Sequence, residues 1–346
     1  MRAITMDGTG MVRCRQVADP EIVEATDAIV QVHVSAVCGS DLHLLTGAFG
    51  EFPPDYPIGH EYAGVVVETG SDVSSIRRGD RVGGSFFAAC GRCRACLRQD
   101  YTQCRHVQLF GLGPRFGALP GTQAEFVRVP FADTTLIPLP DDVTDEEAIF
   151  LGDTLSTAAF GVRRAGIRPG DSVAVVGAGP VGLLAIQYAL ASGAALVIAL
   201  DRIQNRLDRA RAAGAEALPA DDLAVKKVRA MTEGEGPAAV VEAVGTDASL
   251  RLAFQIVRGF GTVSSLGVFE NPDIPIPMGR AFARDLTFRS GMANVQAEWP
   301  HVLQMVRRGR LKPLPLVTHR LPLAEAPEGY ALFQDRKALK VLLSTE

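Results

Sequence analysis

Four of the chain's six cysteines lie close together in the stretch CGRCRACLRQDYTQC, at Cys90, Cys93, Cys96 and Cys104. The spacing C-x2-C-x2-C-x7-C allows one loop to surround a tetrahedral ion, since thiolates about 2.3 Å from zinc need short separations that turns can span. An iron–sulfur cluster also uses four cysteines, but its last ligand normally comes from a distant or Cys-Pro context. We therefore predict zinc. Because four thiolates leave no position for a substrate, this ion is predicted to be structural.

A second group of residues able to bind a metal lies in VCGSDLH and PIGHEYAG. Cys38 and His60 are good zinc ligands, but a zinc site needs at least one more protein ligand. The candidates for this third ligand are Glu61, Asp153 and His43. A site with three protein ligands keeps one position open, so we expect the chemistry here rather than at the four clustered cysteines.

A glycine-rich turn indicates a nucleotide site. In SVAVVGAGPVGLLAIQYAL, Gly177, Gly179 and Gly182 lie between an apolar strand and an apolar helix. Glycine lets the backbone turn tightly and approach a pyrophosphate, whose charge then faces a helix N-terminus. Asp201 ends the next apolar run, where a carboxylate accepts hydrogen bonds from the adenosine ribose and repels a 2'-phosphate, so NAD is predicted rather than NADP. The nearby arginines able to accommodate that phosphate are Arg202 and Arg206.

The elements that position these residues change in character near residue 153. Alternating apolar and polar residues in AIVQVHVSAV, followed by short β-rich runs cut by Gly and Pro, predict that roughly the first 150 residues are mostly β. Apolar strands alternate with helices over residues 173–268, which predicts a parallel doubly wound sheet. The segment after Gly291 is short, so we expect it to pack on the first domain.

Length and composition exclude several classes of protein. The 346 residues exceed the usual size of one hydrophobic core, so two domains are expected. With 47% hydrophobic and 21% charged residues and a net charge of -4, the chain is typical of a globular protein, and nucleic acid is not an expected partner. The N-terminal stretch MRAITMDGTGMVRCRQV has no apolar core of signal-peptide length, and no later run approaches the roughly 20 apolar residues of a membrane span. We expect a cytoplasmic protein with reduced thiols and no membrane partner.

Five motifs together resemble one known family. CGSDLH, GHEYAGVV, the four-cysteine stretch, GDTLST and VGAGPVG occur in the order seen in zinc-dependent medium-chain alcohol dehydrogenases, and the resemblance covers nearly the whole chain. It implies a mainly β GroES-like catalytic domain, residues 1–154 and 293–346, with a zinc lobe at about residues 88–106. It also implies a Rossmann dinucleotide-binding domain, residues 155–292, and two zinc ions per subunit, one catalytic and one structural.

The resemblance also implies roles around the catalytic ion. The residues that resemble its ligands are Cys38, His60 and Asp153. Glu61 resembles a carboxylate able to approach the metal as water or substrate exchanges, and Asp41 resembles the carboxylate that orients the ligand imidazole. Ser40 resembles the hydroxyl that takes the proton from the alcohol. His43 resembles the residue that then passes this proton toward solvent.

Further residues resemble the family's cofactor contacts. Thr157 resembles the residue that packs against the nicotinamide ring, Arg206 a basic residue near the adenosine ribose, and Lys340 a basic contact to the pyrophosphate. The remaining residues of the expected cofactor site, in the glycine motif and in the loops at the nicotinamide end, are Pro180, Val181, Val244, Leu266, Gly267 and Val268.

The implied activity is hydride transfer between NAD and a primary or secondary alcohol, giving an aldehyde or ketone. Polyol and threonine dehydrogenases are alternatives within the superfamily, and a zinc-ribbon-like interaction module with a nucleotide-sensing domain is the alternative from another class. Relatives are dimers or tetramers, so we expect a homo-oligomer in which the strand in TVSSLGV, residues 262–268, pairs across a twofold axis. The loop TGAFGEFPPDY, residues 46–56, is expected to help select the alcohol.

Overall fold

The computed structural model describes residues 1–6, 10–47, 50, 52–271 and 273–345. Of the loop expected to help select the alcohol, Ala48, Phe49 and Glu51 lie outside the described residues. The chain forms two compact units: unit 1 comprises Met1–Ser156 and Asn294–Glu346, and unit 2 comprises Thr157–Ala293. In the described ranges, no helix combines the length and the hydropathy that crossing a bilayer requires.

The first 153 residues are mostly β, which confirms the prediction from their alternating pattern. The strands are β1 (Arg2–Met6), β2 (Val12–Gln16), β3 (Ala28–Val37), β4 (Tyr62–Thr69), β5 (Arg81–Gly84), β6 (Phe87–Ala88), β7 (Gln108–Leu109), β8 (Phe126–Val129) and β9 (Leu136–Pro138). The helices are α1 (Leu42–Leu45), α2 (Ala132–Thr135) and α3 (Asp145–Gly152).

Strands and helices alternate in the following residues. The helices are α4 (Thr154–Ala165), α5 (Pro180–Ala191), α6 (Gln204–Ala212), α7 (Ala224–Met231), α8 (Asp247–Ile256) and α9 (Met278–Ala283). The strands are β10 (Ser172–Val176), β11 (Leu196–Asp201), β12 (Glu216–Pro219), β13 (Ala239–Glu242), β14 (Thr262–Ser265) and β15 (Thr287–Ser290). The chain ends with α10 (Val295–Arg307), β16 (Val317–Pro322), α11 (Ala326–Gln334) and β17 (Lys340–Ser344).

The sheet of unit 2 is parallel, as the sequence predicts. Its order is β12-β11-β10-β13-β14-β15, and each neighbouring pair is parallel. The chain therefore reverses its direction of travel across the sheet between β10 and β13, which is the usual ligand position in such a fold. One prediction is wrong: the strand of TVSSLGV is β14, whose two edges already pair with β13 and β15, so it has no edge free to pair with a second subunit.

The main sheet of unit 1 has the order β16-β17-β3-β4-β5-β9, and β8 also pairs with β3. Ser35 in β3 lies opposite Tyr62 in β4, and Val37 lies opposite Val341 in β17. Because these pairs are antiparallel, the end of β3, the start of β4 and the start of β17 lie side by side at the same end of the strands. Helix α3 packs against β3, β4 and β5, so its C-terminal end belongs to the same unit.

Candidate functional site

Three possible metal ligands meet where β3 ends and β4 begins. Cys38 follows β3, His60 precedes β4, and Asp153 lies between α3 and α4. Cys38 Sγ is 3.5 Å from Asp153 Oδ2, and His60 Nε2 is 3.4 Å from the same carboxylate oxygen. All three ligand atoms lie within 4.8 Å of one another. Of the three candidates for the third ligand, the structure brings Asp153 to Cys38 and His60.

These separations fit a tetrahedral zinc ion. Ligand atoms at about 2.0–2.3 Å from one ion lie about 3.3–3.8 Å apart along the edges of a tetrahedron. Three protein ligands occupy three corners and leave the fourth corner to water or substrate. The separations in this group therefore fit a zinc ion with one position left open.

The charges of the group also favour a cation. Burial, with the negative charges of Glu61 and Asp153, raises the pKa of the Cys38 thiol. Burial lowers the pKa of His60, but Asp41 and Asp153 outweigh burial and hold this pKa well above its usual value. Negative charge near the group contributes to both shifts, and a divalent cation compensates such charge while keeping the thiolate and the neutral imidazole as ligands.

Asp41 lies where it can orient the ring of His60. Its Oδ1 is 3.1 Å from His60 Nδ1, and its Oδ2 accepts a hydrogen bond of 2.9 Å from the backbone N–H of Cys38. Gln123 Nε2 is 3.4 Å from Asp41 Oδ2, and the Tyr330 hydroxyl donates to Gln123 Oε1 at 2.9 Å. Gln123 and Tyr330 were not predicted, because nothing near them along the chain marks them as partners of Asp41.

Ser40 contacts two of the ligands. Its Oγ is 3.3 Å from Cys38 Sγ and 3.1 Å from His60 Nε2, so the hydroxyl lies within hydrogen-bonding distance of two of the three ligand atoms. His43 follows three residues later in α1 and is half-buried. Ser40, which is expected to receive the alcohol proton, thus contacts the ligand group. His43, which is expected to pass the proton on, lies three residues later in the chain.

Glu61 and Lys340 form a buried ion pair that the sequence did not predict. Lys340 Nζ is 2.9 Å from Glu61 Oε1 and 2.6 Å from Oε2, and the Thr154 hydroxyl donates to Oε1 at 2.6 Å. A buried ammonium needs its carboxylate partner, since an unpaired charge in the interior is very costly. The described partners of the Lys340 ammonium are Glu61 and the Thr154 hydroxyl, and its expected contact with a pyrophosphate stays a prediction. Glu61, in turn, lies outside the group of three ligand atoms.

The four clustered cysteines surround a common point. Cys93 Sγ is 3.5 Å from Cys96 Sγ and 3.9 Å from Cys104 Sγ, and the sulfurs of Cys90 and Cys96 are 4.0 Å apart. Four thiolates about 2.3 Å from one ion lie about 3.8 Å apart, so the distances fit zinc. The backbone N–H groups of Cys90 and His106 donate to Cys104 Sγ, each at 3.3 Å. All four corners are sulfur, which leaves no open position.

Asn294 ties this loop to the C-terminal part of unit 1. Its Nδ2 donates to the carbonyl of Gln99 at 2.5 Å, and its Oδ1 accepts from the backbone N–H of Tyr101 at 3.2 Å. Inside the loop, Gly91 has a φ of +69°, and a Cβ there would lie 2.3 Å from Thr134 Oγ1. The spacing of the cysteines predicts the loop, but no local pattern marks Asn294 as its partner.

The glycine motif of unit 2 has the geometry that a close approach of backbone requires. Gly177 has a φ of +95°, and a Cβ on Gly182 would lie 1.8 Å from the Gly177 carbonyl oxygen. Gly179 is the N-cap of α5, Pro180 is its first residue, and Val181 follows. The motif thus connects the end of β10 to a helix N-terminus, where unpaired N–H groups and the helix dipole favour a phosphate.

Asp201, the last residue of β11, is fixed beside this motif. Its Oδ2 accepts a hydrogen bond of 2.7 Å from the N–H of Ala178, and its Oδ1 accepts from the N–H groups of Arg202 and Ile203 at 2.7 and 2.9 Å. Arg206 Nη1 lies 3.9 Å from Asp201 Oδ2. The carboxylate and the guanidinium expected near the adenosine ribose are therefore neighbours.

The other expected cofactor residues of unit 2 follow β13 and β14 or lie in α4. Val244 and Val268 are 47% and 42% exposed, which is unusual for valines and typical of an open apolar surface. Leu266 instead lies against α4, where a Cβ on Gly161 would be 2.3 Å from it. Gly267 connects Leu266 to Val268, and Thr157 is half-buried in α4.

Comparison with protein families gives two matches that together span most of the chain. Residues 24–141 match the model described as alcohol dehydrogenase GroES-like domain, and residues 180–308 match the model described as zinc-binding dehydrogenase. A "probable zinc-binding alcohol dehydrogenase" of Mycobacterium tuberculosis is 39% identical over 337 residues, which are 97% of this chain and 86% of that protein.

Solved structures agree with these matches. The alcohol dehydrogenase TADH from Thermus sp. ATN1 superposes with a TM-score of 0.95 at 45% identity, covering 99% of both chains. A zinc-binding dehydrogenase candidate of Sinorhizobium meliloti 1021, solved bound to NADP, has a TM-score of 0.85 at 28% identity and covers 99% of this chain and 98% of its own.

Proposed function

Because these matches make the chain a member of the zinc-dependent medium-chain dehydrogenase family, we propose that it is an NAD-linked alcohol dehydrogenase acting on a primary or secondary alcohol. The family confirms the resemblance seen in the sequence and makes the protein an oxidoreductase. The observation that supports an alcohol dehydrogenase is the presence of two different groups of possible metal ligands. Cys38, His60 and Asp153 leave a corner open and two of them contact a serine hydroxyl, whereas the four clustered cysteines leave no corner open.

The proposed role of each residue follows from these contacts. Cys38, His60 and Asp153 would hold the zinc ion, which would supply Lewis-acid chemistry toward an alcohol oxygen. Asp41 would orient the ring of His60, whose Nδ1 lies 3.1 Å from Asp41 Oδ1 and whose Nε2 lies on the side of Asp153. Ser40 accepts the alcohol proton, since its hydroxyl lies 3.1–3.3 Å from two of the ligand atoms. His43 then passes the proton toward solvent.

The proposed cofactor is NAD. The carboxylate of Asp201 lies beside the glycine motif, where it accepts hydrogen bonds from ribose hydroxyls and repels a 2'-phosphate. Arg206 is close enough to Asp201 to favour the opposite choice, and the related protein from Sinorhizobium meliloti was solved with NADP. We expect the effect of Asp201 to outweigh that of Arg206 and NAD to be preferred over NADP. Asp201 accepts a hydrogen bond from the glycine loop, whereas Arg206 lies near that loop.

The proposal is tested by NADH formation from alcohols. Protein carrying two zinc ions per chain is assayed at 340 nm with primary alcohols, secondary alcohols and polyols, each with NAD and with NADP. We expect turnover with at least one alcohol and a higher kcat/KM with NAD. Faster turnover with NADP would overturn the cofactor assignment, and turnover of polyols alone would replace the simple alcohol by a polyol.

A variant with a matched control tests the metal assignment. His60→Ala is expected to retain one zinc ion per chain, in the cysteine group, and to lose turnover. Cys14→Ala is the control, because Cys14 belongs to neither metal group, and it is expected to keep both ions and full activity. Unchanged turnover by His60→Ala with a single zinc ion would contradict the proposed mechanism.

A homo-oligomer, dimer or tetramer, is also proposed. With β14 enclosed, β15 is the edge strand at that end of the sheet. Phe260 and Phe282 are 82% and 88% exposed, and aromatic side chains so exposed are typical of an interface. Light scattering after size exclusion should give a mass of two or four chains, and a monomer at micromolar concentration would contradict this.

A further inference from the structure

The carboxylate of Glu242 accepts an unusual number of hydrogen bonds at the end of β13. Oε1 accepts from the backbone N–H groups of Val244 and Gly245 and from the Ser249 hydroxyl, each at 2.8 Å. Oε2 accepts from the Ser265 hydroxyl at 2.8 Å. The Glu242 side chain is completely buried. One carboxylate thus connects the loop after β13, the first turn of α8 and the last residue of β14.

The loops after β13 and β14 depend on each other as well as on Glu242. Gly245 has a φ of +83°, and a Cβ there would lie 2.4 Å from the Val268 carbonyl oxygen. A Cβ on Gly267 would lie 2.0 Å from the backbone nitrogen of Gly245. The two backbones are therefore in direct contact, and the exposed side chains of Val244 and Val268 are carried by this pair of loops.

The pair of loops lies at the point where the strand order of unit 2 reverses. A Cβ on Gly177, in the glycine motif after β10, would lie 2.5 Å from Val244 Cγ2, so the loop after β13 borders that motif. A doubly wound sheet binds a dinucleotide across this crevice, one mononucleotide on each half. The half that starts with β10 has the glycine motif and Asp201, which suit the adenosine part. The half that starts with β13 is left for the other mononucleotide.

We propose that Glu242 is a positioning residue that holds the loops after β13 and β14 in the shape that receives the nicotinamide half of the cofactor. This inference rests on the proposed function, since that function supplies the nicotinamide. Glu242 does not touch the cofactor. It acts through Val244 and Val268, whose exposed apolar side chains offer a surface to a flat ring.

A carboxylate suits the position of Glu242 because all four of the hydrogen bonds described there are donated to it. The amide introduced by Glu242→Gln has one acceptor oxygen, and its NH2 group would face either the Ser265 hydroxyl or the two backbone N–H groups. In the first orientation the Ser265 hydroxyl has to turn and accept from the amide, and in the second both backbone N–H groups lose their acceptor. In either case the loop after β13 loses its hydrogen bonds to a charged group, which are stronger than those to a neutral amide. Ser265→Ala is milder, because it removes only the donor to Oε2 and leaves both backbone hydrogen bonds in place.

The test compares binding of NADH with binding of ADP-ribose, which lacks the nicotinamide, by calorimetry on the zinc-loaded protein. For Glu242→Gln we expect the Kd of NADH to rise about tenfold, the loss expected for one hydrogen bond to a charged group, with the Kd of ADP-ribose unchanged. For Ser265→Ala we expect a rise of about threefold for NADH alone. Thr232→Ala is the matched control: it removes a buried hydroxyl that bonds Val228 and Gly236 near the opposite end of β13.

The possible results separate the two proposals. An equal loss of NADH and ADP-ribose binding in Glu242→Gln, or no loss of either, overturns the positioning role. The same holds if Thr232→Ala weakens NADH binding as much as Glu242→Gln does. If Glu242→Gln does not fold, Ser265→Ala decides by the same comparison. A wild-type protein that binds neither ligand overturns the proposed function itself.

Discussion

Removal of the Lys340 ammonium tests the buried ion pair with Glu61. The side chains are 1% and 0% exposed, and Lys340 Nζ lies 2.6 Å from Glu61 Oε2. Lys340→Met keeps a flexible apolar side chain near the ring of Phe150, whose centre is 5.8 Å from Nζ. The carboxylate of Glu61 then stays buried with only the Thr154 hydroxyl as its donor.

The expected cost follows from the charge that is left behind. Removal of one partner of a buried ion pair lowers the free energy of unfolding by about 3–5 kcal/mol, and we expect this loss for Lys340→Met. Glu61→Gln added to the same chain removes the remaining charge and keeps an acceptor for Thr154. We therefore expect the double variant to be about 2 kcal/mol more stable than Lys340→Met alone.

Urea unfolding of the zinc-loaded protein measures these differences. The chain has one tryptophan, Trp299, which is buried in α10 and donates to the Leu151 carbonyl, so its fluorescence reports on unit 1. Lys337→Met is the matched control, because Lys337 and Asp335 are 66% and 59% exposed and their ion pair is worth less than about 1 kcal/mol. A loss below about 1 kcal/mol for Lys340→Met, or a double variant no more stable than the single one, would refute the reasoning.

Three further predictions concern the cysteine loop, the hydrogen bonds of Asp133 and the glycine motif. Cys104→Ala is expected to keep one zinc ion per chain by metal analysis and to lower the melting temperature, because the closed group loses a ligand. Burial raises the pKa of Asp133, but hydrogen bonds from Ser75 and Ser74 outweigh burial and hold it at about 2, so its stabilising effect is complete above the usual pKa of 3.8 and is lost as pH falls toward 2. Because the side chain is exposed, we expect Asp133→Asn to cost only about 1 kcal/mol at pH 7, with a difference in urea midpoint that shrinks below about pH 4. Gly182→Ala is expected to lower the melting temperature, since its Cβ meets a carbonyl at 1.8 Å, whereas Gly179→Ala has room, with nothing nearer than 3.7 Å, and should weaken only NADH binding.

The sequence predicts best those features whose parts are close along the chain. The four cysteines form one loop, and Gly177 to Gly182 form one turn, so spacing alone indicates their geometry. Composition and periodicity also predict the parallel sheet, because β10, β11 and β13 are continuous apolar runs, as strands buried on both faces must be. Cys38 and His60 were recognisable as metal ligands, but the residues alone did not choose Asp153 over Glu61 or His43.

Long-range polar pairs were not predictable. Glu61 and Lys340 are separated by 279 residues, and a lysine near the chain terminus is usually exposed, so its burial against Glu61 had no local signal. Glu242 is a similar case. The sequence marks the loop after β13 through its glycine, but the convergence of Ser249 and Ser265 on one carboxylate appears only when neighbouring strands are aligned.

Strand register explains why the open metal group is harder to predict than the closed one. Ser35 of β3 faces Tyr62 of β4, and Val37 faces Val341 of β17, so the end of β3 and the starts of β4 and β17 are fixed side by side. A shift of one residue in either pairing turns each side chain to the other face of the sheet and separates the ligands that follow β3 and precede β4. The closed group needs only the turns of its own loop. The open group therefore depends on the register between β3 and β4, which links the fold of unit 1 to its proposed chemistry.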